Sequence, residues 1–546
     1  YNAAVIFCSN YKSIIYTAKN LLFYNSFKSI ANASNKEFTG LNIRNTAGSF
    51  YMGIKDSDFI GSYTTDVVGA FGIGIYNTGN IGYSGYNNIS LDKDTFIGNY
   101  VTYNPSVDSS AKGSAIYNTG NITYGITNSI FSNNYIISAK STVNDANLDL
   151  EGGAIYNIGT LPVISNTHFY GNYIYSEQGH AYGGAIYTTK DLEITGSEKP
   201  TLDSTTTIVG KSADITIDTN RYSSFIGNYA EANQAKSSTY VYGGAIHSSG
   251  ANLSVNNTLF AFNQARYTQT ARGAGIFSTG KLTVTDSLFV GNSSNRATGD
   301  SWGSAIYSSG TVEKISGSSF IGNFSSLESP LEGVFSVDKT LTETTKTESI
   351  RNPFTNANIT DISYTTYTLS GITVTNNLMT HDVNELNNVL SIINSDITIR
   401  RGPGSKGTAI AFASGTKKDI SDNLFYSNIG FSYSYGSMAG GAIYNDGRIL
   451  SLKNNIFRGN SMIGKNIAQV VLRGGGALYN GNTIYTIAGD LGANKSVFDA
   501  NSVYSLDNSR PLDGPAYGGA IRNESTIGQI INTDFTNNYV IGGYVA

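Results

Sequence analysis

Acidic side chains are the residues of this sequence that could support glycoside chemistry, since glycoside hydrolysis needs two facing carboxylates. Asp145, Asp149 and Glu151 lie close together in the chain. They fall immediately before a Gly-Gly motif at Gly152, where a variable surface loop is the stronger interpretation. No constellation meets the geometric requirements of a reaction, so we expect no catalytic residues and a protein that is not an enzyme. A carbohydrate-active lyase or hydrolase stays as an alternative.

Metal and cofactor chemistry finds equally little support. Neither an EF-hand nor a calcium-binding nonapeptide repeat occurs. The single cysteine, Cys8, excludes an internal disulfide and a cysteine-rich metal site, and the single Trp302 is a weak basis for a sugar platform. Metal-binding spacing such as His-x-x-x-His is missing from the four histidines, His168, His180, His247 and His381. We therefore expect no cofactor and no bound metal.

The composition limits the remaining function classes. Charged residues make up 14% of the chain, where an ordinary soluble domain has about 25%. The formal net charge of −4 leaves no basic footprint for nucleic acid. The longest apolar runs fall well below the ~18–20 residues of a membrane helix, so we expect no membrane-spanning segment. With 61 Gly and 38 Tyr, the chain suits β-structure with many turns.

Two short motifs alternate along nearly the whole chain and define its elements. The first reads Gly-Gly-Ala-Ile, as in Gly152–Ile155, and recurs with small variations. The distance from its first Gly to the next Phe is nearly constant, whereas the distance from that Phe to the next Gly varies. A fixed unit with insertions at one edge is the signature of a solenoid. The second motif reads Phe-x-x-Asn, with clear copies at Phe96/Asn99, Phe131/Asn134, Phe169/Asn172, Phe225/Asn228, Phe457/Asn460 and Phe535/Asn538.

Each unit reads as three short strands separated by turns, and no segment shows a convincing 3.6-residue apolar period. We therefore predict an all-β, right-handed parallel β-helix with three-stranded rungs, roughly 14–16 rungs and few or no α-helices. Residues 1–546 form one β-helix domain in this interpretation. Residues 188–224 are predicted to form an elaborated rung or a projecting loop. Residues 331–401 are predicted to form an irregular insertion, a kind of segment that often binds partners.

Comparison of the copies predicts which side chains face the core. Gly153 and Ile155 should point inward, and the Phe of the second motif should stack on its counterpart in the next rung. The Asn has two interpretations, a left-handed turn at the strand end or a stacked amide ladder. The position after the Ile accepts Arg522, so it should face outward, and His247 in this column should be a surface variant. This outward aromatic column is a candidate contact surface or a self-stacking element, and it comprises Tyr76, Tyr117, Tyr156, Tyr187, Tyr307, Tyr444 and Tyr479.

These repeats resemble those of the chlamydial polymorphic membrane proteins and related autotransporter passengers, which carry Gly-Gly-Ala-[Ile/Leu/Val] and Phe-x-x-Asn motifs. The resemblance covers nearly the whole chain. It implies a secreted or outer-membrane-associated β-helix, displayed at the cell surface, that acts as an adhesin. The implied partner is a receptor or glycan on a host or neighbouring cell.

Self-assembly into an extracellular fibre or surface layer is a second functional hypothesis, with copies of the chain as partners. The chain begins at Tyr1 with a Phe7/Asn10 motif close by. We therefore expect that it derives from a longer precursor, as the passenger part. Upstream residues or another subunit should then cover the strand edges at this end.

Overall fold

The computed structural model shows a long stack of short parallel strands, and the predicted fold class, an all-β parallel β-helix, is confirmed. The structure describes residues 4–29, 37–67, 69–83, 88–103, 110–138, 149–177, 179–200, 207–209, 211–217, 221–233, 240–267, 270–296, 301–325, 330–351, 358–380, 382–395, 404–433, 437–465, 472–492, 494–505 and 516–542.

Strands of successive coils pair in parallel and build six sheets, numbered in the order in which a coil crosses them. Sheet 1, which begins at the first motif, contains Ile6–Cys8, Ile43–Asn45, Ile75–Asn77, Ile116–Asn118, Ile155–Asn157, Ile186–Thr188, Ile246–Ser248, Ile276–Ser278, Ile306–Ser308, Ile410–Phe412, Ile443–Asn445, Leu478–Asn480 and Ile521–Asn523. Sheet 2 contains Ile14–Ile15, Ser49–Phe50, Asn80–Ile81 and Asn121–Ile122. Sheet 3 contains Ala18–Lys19, Ile54–Lys55, Leu91–Asp92, Ile126–Thr127, Val163–Ser165, Leu192–Thr195, Leu253–Asn256, Leu282–Thr285, Val312–Ser316, Thr416–Ser421, Arg448–Ile449, Leu452–Lys453, Thr483–Ala488 and Thr526–Ile531.

The other three sheets complete the coil. Sheet 4, which carries the second motif, contains Leu22–Tyr24, Asp58–Ile60, Thr95–Ile97, Ile130–Ser132, His168–Tyr170, Ser223–Ile226, Thr258–Ala261, Leu288–Val290, Ser319–Ile321, Leu424–Tyr426, Ile456–Arg458, Ser496–Asp499 and Thr533–Thr536. Sheet 5 contains Phe27–Ser29, Tyr63–Val67, Tyr100–Tyr103, Tyr135–Ser138, Tyr173–Ser176, Tyr229–Ala232, Gln264–Tyr267, Ser293–Arg296, Phe324–Ser325, Ile429–Tyr433, Ser461–Lys465, Ser502–Ser505 and Tyr539–Ile541. Sheet 6 contains Glu37–Thr39, Gly69–Phe71, Ala111–Lys112, Leu150–Glu151, Ala181–Tyr182, Val241–Tyr242, Ala271–Arg272, Ser301–Trp302, Ser405–Lys406, Met438–Ala439 and Leu472–Gly474.

A typical coil thus crosses five or six short strands rather than the three predicted. The extra strand breaks are corners with a left-handed backbone, such as Gly152 (φ 67°) before sheet 1 and Asn128 (φ 51°) before sheet 4. Gly adopts this conformation freely and Asn tolerates it, and each corner ends a strand. Among the described residues, sheets 1, 4 and 5 contain thirteen strands each, slightly fewer than the roughly 14–16 rungs predicted from the repeat.

Gly153 is required for a different reason. A Cβ atom at this position would lie 2.0 Å from the carbonyl oxygen of Gly184 in the next coil. Backbones of neighbouring coils approach too closely there for any side chain. In this copy of the motif, Gly152 therefore serves a corner and Gly153 a close contact.

Matching side chains stack along the axis and form the core, except at Phe535, where the predicted burial is wrong because the side chain is 47% exposed. From Phe23 to Phe535, the Phe rings of sheet 4 stack with centroids 4.5 to 5.0 Å apart. This distance is close to the ~4.8 Å between neighbouring strands, so the rings lie face to face. Ile155 is fully buried in the same cluster, as are Phe96, Phe131, Phe169, Phe225 and Phe457. Phe7 lies instead in sheet 1, so its assignment to the second motif is wrong.

The Asn of the second motif forms a stacked amide ladder. From Asn99 to Asn538, each Nδ2 donates to the Oδ1 of the Asn in the next coil at 2.9 to 3.0 Å. The same Nδ2 also donates to the Phe carbonyl of the preceding coil, as from Asn172 to Phe131 at 2.9 Å. The left-handed turn is made by the residue before the Asn, such as Gly171 (φ 57°). Asn134, Asn228 and Asn460 are members of this ladder.

The two regions predicted to be irregular meet in one appendage on the outside of the coil stack. Its antiparallel strands are Thr207–Val209, Ser212–Thr216, Phe335–Arg351 and Asn358–Asn376, followed by the helix Val383–Ser395. Residues 212–216 of the first region pair with residues 371–375 of the second. An apolar cluster joins the appendage to the outer faces of sheets 4 and 5, through Val374, Ile321 and Ile429 among others. Residues 201–206, 352–357 and 396–401 lie outside the described residues.

Candidate functional site on the outer aromatic columns

The predicted outward column occupies the middle position of the sheet 1 strands. Neighbouring rings stack with centroids 5.0 to 5.3 Å apart. None of these rings belongs to the apolar core inside the coil. The set, termed the corner column, comprises Tyr76, Tyr117, Tyr156, Tyr187, His247, Phe277, Tyr307, Tyr444 and Tyr479.

Much of the corner column is buried although it faces away from the core. Tyr444 and Tyr479 expose only 2% and 1% of their surface. The cover comes from outer side chains of sheet 6, which contact the column across the Gly corner, as in the stack of Tyr242 on Phe277 at 4.2 Å. Outer side chains diverge at a convex corner, so this contact shows that the corner is concave towards solvent. The predicted contact surface is therefore closed at Tyr156, Tyr307, Tyr444 and Tyr479, whereas Tyr76, Tyr117 and Tyr187 are only partly buried.

Polar groups of the column are largely engaged within the protein. The hydroxyl of Tyr156 accepts a hydrogen bond from Lys112 Nζ at 3.4 Å, and the hydroxyl of Tyr444 donates to Asp446. His247 is 5% exposed and packs edge-on against Phe277, so its interpretation as a surface variant is wrong. Burial lowers the pKa of His247 to about 3, which keeps the ring neutral at physiological pH.

A second aromatic column lies on the outer face of sheet 5. Its rings stack with centroids 4.5 to 4.9 Å apart. The five tyrosines are half-buried, and Phe27 at the end is 48% exposed, so the column contacts solvent along its length. Burial raises the pKa of Tyr135 and Tyr173 to about 12, so these hydroxyls stay uncharged. This sheet 5 column comprises Phe27, Tyr63, Tyr100, Tyr135, Tyr173 and Tyr229.

Sequence reasoning missed the sheet 5 column, although a signal existed. The residue after the ladder Asn is Tyr in four consecutive copies, from Asn99-Tyr100 to Asn228-Tyr229. In later coils the equivalent outer face is covered by the appendage, where Phe324 and Ile429 are buried in the shared apolar cluster. The run of stacked tyrosines on this face therefore ends at Tyr229, which is followed by Gln264 in the next coil.

The acidic residues weighed as catalytic candidates lie in different surroundings. Glu151 belongs to a strand of sheet 6 and pairs with Lys112 Nζ at 2.6 Å, so its interpretation as a loop residue is wrong. Burial raises the pKa of the Asp149 carboxyl, while the nearby His180 acts to lower it. Asp145 lies outside the described residues. The ion pair with Lys112 gives Glu151 a structural role in the coil wall.

Another set of acidic residues lines an open groove of about 820 Å³ beside sheet 3. Asp191, Glu193 and Glu313 contribute to its walls. Hydrogen bonds from Asn252 lower the pKa of Asp191, and the Lys418 ammonium lowers the pKa of Glu313. Both carboxyls are therefore anionic at neutral pH, whereas a general acid for glycoside cleavage must hold its proton.

Among the residues that the structure describes, no group of three or more His, Cys, Asp or Glu side chains is placed to hold a metal ion. The same part of the chain contains no helix long and apolar enough to cross a membrane. Comparisons with family models, with curated proteins and with solved structures found no significant match to this chain.

Proposed function

We propose that this chain is a non-enzymatic extracellular adhesin or structural protein, displayed on or released from a bacterial cell surface. The observation that carries the proposal is the uncovered sheet 5 column, from Phe27 to Tyr229. The stack of coils provides a rigid support, and six successive rings span about 24 Å at the ~4.8 Å strand spacing. A receptor on a host or neighbouring cell is the proposed partner.

Tyrosine suits such a contact for physical reasons. Its ring offers a large contact area with only two rotatable side-chain bonds, so little conformational entropy is lost on binding. Stacking on neighbouring coils already holds Tyr135 between Tyr100 and Tyr173, which lowers that cost further. The resemblance of the repeats to chlamydial polymorphic membrane proteins supports the adhesin role and the location at the cell surface.

The test is cell binding by a triple variant, Tyr100→Ser, Tyr135→Ser and Tyr173→Ser. We expect cell-bound protein, measured by flow cytometry, to fall at least about tenfold, because aromatic anchors dominate contact energies. The matched control removes three exposed tyrosines outside the column, Tyr83→Ser, Tyr485→Ser and Tyr517→Ser. Equal binding by both variants and the unmodified chain would contradict the proposal, as would equal losses in both.

Self-assembly is a second candidate, and the appendage favours it. Residues 342–351 pair with residues 358–368, and no third strand of the described residues pairs with this distal hairpin. Thr344 and Thr345 point to opposite faces of the strand, and both residues are exposed. Free edges are templates for pairing with another chain.

Electron microscopy separates this candidate from a monomeric adhesin. We expect the unmodified chain to form fibres or layers at high concentration, because unpaired edges attract further strands. A variant in which a two-residue Asn-Gly turn joins Thr342 to Thr368 keeps the proximal pairing and should remain as single rods. Monodisperse rods of the unmodified chain at the same concentration would count against self-assembly.

A further inference from the structure

Three successive coils place Arg272, Trp302 and Lys406 side by side on the outer face of sheet 6. All three side chains are half-buried in the concave corner. The Arg272 Cζ atom lies 5.3 Å from the centroid of the Trp302 ring, and Lys406 Nζ lies 4.3 Å from it. Two cations thus flank one indole, within about 10 Å of each other by the ~4.8 Å coil spacing.

Arg272 is embedded among aromatic rings. Its Cζ lies 5.4 Å from the ring of Tyr242 and 5.0 Å from the ring of Tyr307. Its Nη1 donates to both tyrosine hydroxyls at 3.4 Å, and its Nε atom is buried without a hydrogen-bond partner in the described structure. Cation–π contacts of this kind hold a guanidinium in place without neutralising its charge.

Another cation on the outer face of sheet 6, Lys112, is neutralised by a carboxylate. Lys112 faces Glu151 of the next coil at 2.6 Å, which gives a direct ion pair. For Arg272, by contrast, no carboxylate of the described residues lies within ion-pairing distance. The positions that flank it along sheet 6 are occupied by Tyr242 and Trp302. Arg272 is partly desolvated and lies near the positive charge of Lys406. Binding of an anion beside these two cations would therefore be electrostatically favourable.

We propose that this part of the concave corner, the Arg272–Trp302–Lys406 site, binds an acidic polysaccharide through its carboxylate or sulfate groups. Arg272 would hold one acidic group through Nη2 and its positive charge, since Nη1 already donates to two tyrosine hydroxyls and Nε is buried. Lys406 would attract a second acidic group on the same chain as a point charge. The hydroxyl of the half-buried Tyr242 and the edge of the indole complete the surface.

A polysaccharide fits this surface better than an acidic peptide does. Extended peptides bind by adding a strand to a free sheet edge. No such edge exists at the site, because Ala271–Arg272 and Ser301–Trp302 pair with neighbours on both sides. Recognition must therefore come from side chains alone, and the corner runs along the stack as a linear ligand requires. The site lies on a different face from the sheet 5 column and does not depend on the proposed function.

The only tryptophan of the chain gives a direct measurement of binding. The full chain is titrated with a heparin-derived hexasaccharide and with an oligogalacturonate while Trp302 fluorescence is recorded. Neutral maltohexaose and oligoglutamate serve as control ligands. We expect at least one acidic oligosaccharide to change the emission, with an affinity that falls as salt is added. Neither control ligand should change the emission.

Two substitutions test the residues. Arg272→Gln should weaken binding at least about tenfold, since its charged hydrogen bond to the ligand is lost, and Lys406→Gln should weaken binding because the site loses a positive charge. Lys112→Gln removes a cation of sheet 6 that already pairs with Glu151. This control should leave the affinity for the acidic oligosaccharide within about twofold, because the charge of Lys112 is already neutralised. Far-ultraviolet circular dichroism checks that each variant is folded. The proposal is overturned by unchanged emission with both acidic sugars, by equal binding of oligoglutamate, or by equal losses in all three variants.

Discussion

A lysine in the core of the stack offers the sharpest test of the structure. Lys417 occupies an inward position of sheet 3, where its partners in the flanking coils are Val312 and Ile449. The side chain is fully buried, its Nζ donates to the Gly310 carbonyl, and Nζ lies 5.0 Å from the Phe412 ring centroid. Within the described structure no carboxylate pairs with it. Burial lowers the pKa of Lys417 to about 7.

The pKa shift determines the sign of the pH dependence. The ordinary lysine pKa of 10.5 applies to the unfolded chain, so the unfolded state binds more protons between pH 7 and 10.5. Stability should therefore rise with pH across this window, and the full cost of the buried charge is present below pH 7. The pKa difference corresponds to about 5 kcal/mol at most. Loss of the bond to Gly310 would offset about 1 kcal/mol of any gain on substitution.

We therefore expect Lys417→Met to raise the free energy of unfolding by about 2–4 kcal/mol at pH 7. Above pH 7 this gain should shrink by about 1.4 kcal/mol for each pH unit. Urea unfolding of the variant and of the unmodified chain from pH 6 to pH 9 measures this gain. The difference between the two free energies of unfolding removes the contribution of the titrating groups that both proteins share. The exposed Lys453→Met, which removes an ion pair with Asp490 at 2.8 Å, should show no such gain. Destabilisation at pH 7, or a pH-independent difference, would refute the reasoning.

Three further predictions concern the motifs and the corner column. Asn172→Ala should lower the free energy of unfolding, measured in urea, by about 3–5 kcal/mol, because it leaves several buried hydrogen-bonding groups of adjacent coils unpaired. A decrease under about 1 kcal/mol would contradict the amide ladder. Gly153→Ala should prevent folding or cost several kcal/mol, since its Cβ would lie 2.0 Å from the Gly184 oxygen, and normal circular dichroism and urea stability would contradict this. The depressed His247 pKa means that stability is lost as pH falls below about 6.5, the unfolded value, towards about 3. His247→Phe should reduce that loss in urea titrations between pH 4 and pH 7, and an unchanged pH dependence would argue against a buried neutral imidazole.

Interactions between equivalent residues of successive coils could be predicted from the repeat. Phe169 faces Phe131 and Phe225 because the strands pair in register, so one motif predicts an entire stack. For Asn172 the sequence allows either a left-handed turn or a stacked amide ladder, and the hydrogen bond to Asn228 in the structure identifies the ladder. The outward direction of Tyr156 followed from strand alternation, but its burial did not.

The amino-acid sequence by itself determined the parallel β-helix, because a repeated pattern of Gly corners and inward Phe and Ile needs only local rules and stacking. The tertiary structure alone decided what covers the outside of the coils. Burial of the corner column depends on the angle at which sheets 6 and 1 meet. The cover over sheets 4 and 5 depends on pairing between residues 212–216 and 371–375, which are far apart in sequence. The sequence repeat therefore determines that the corner column and the sheet 5 column are aromatic. Their exposure to a partner depends on the tertiary structure that surrounds them.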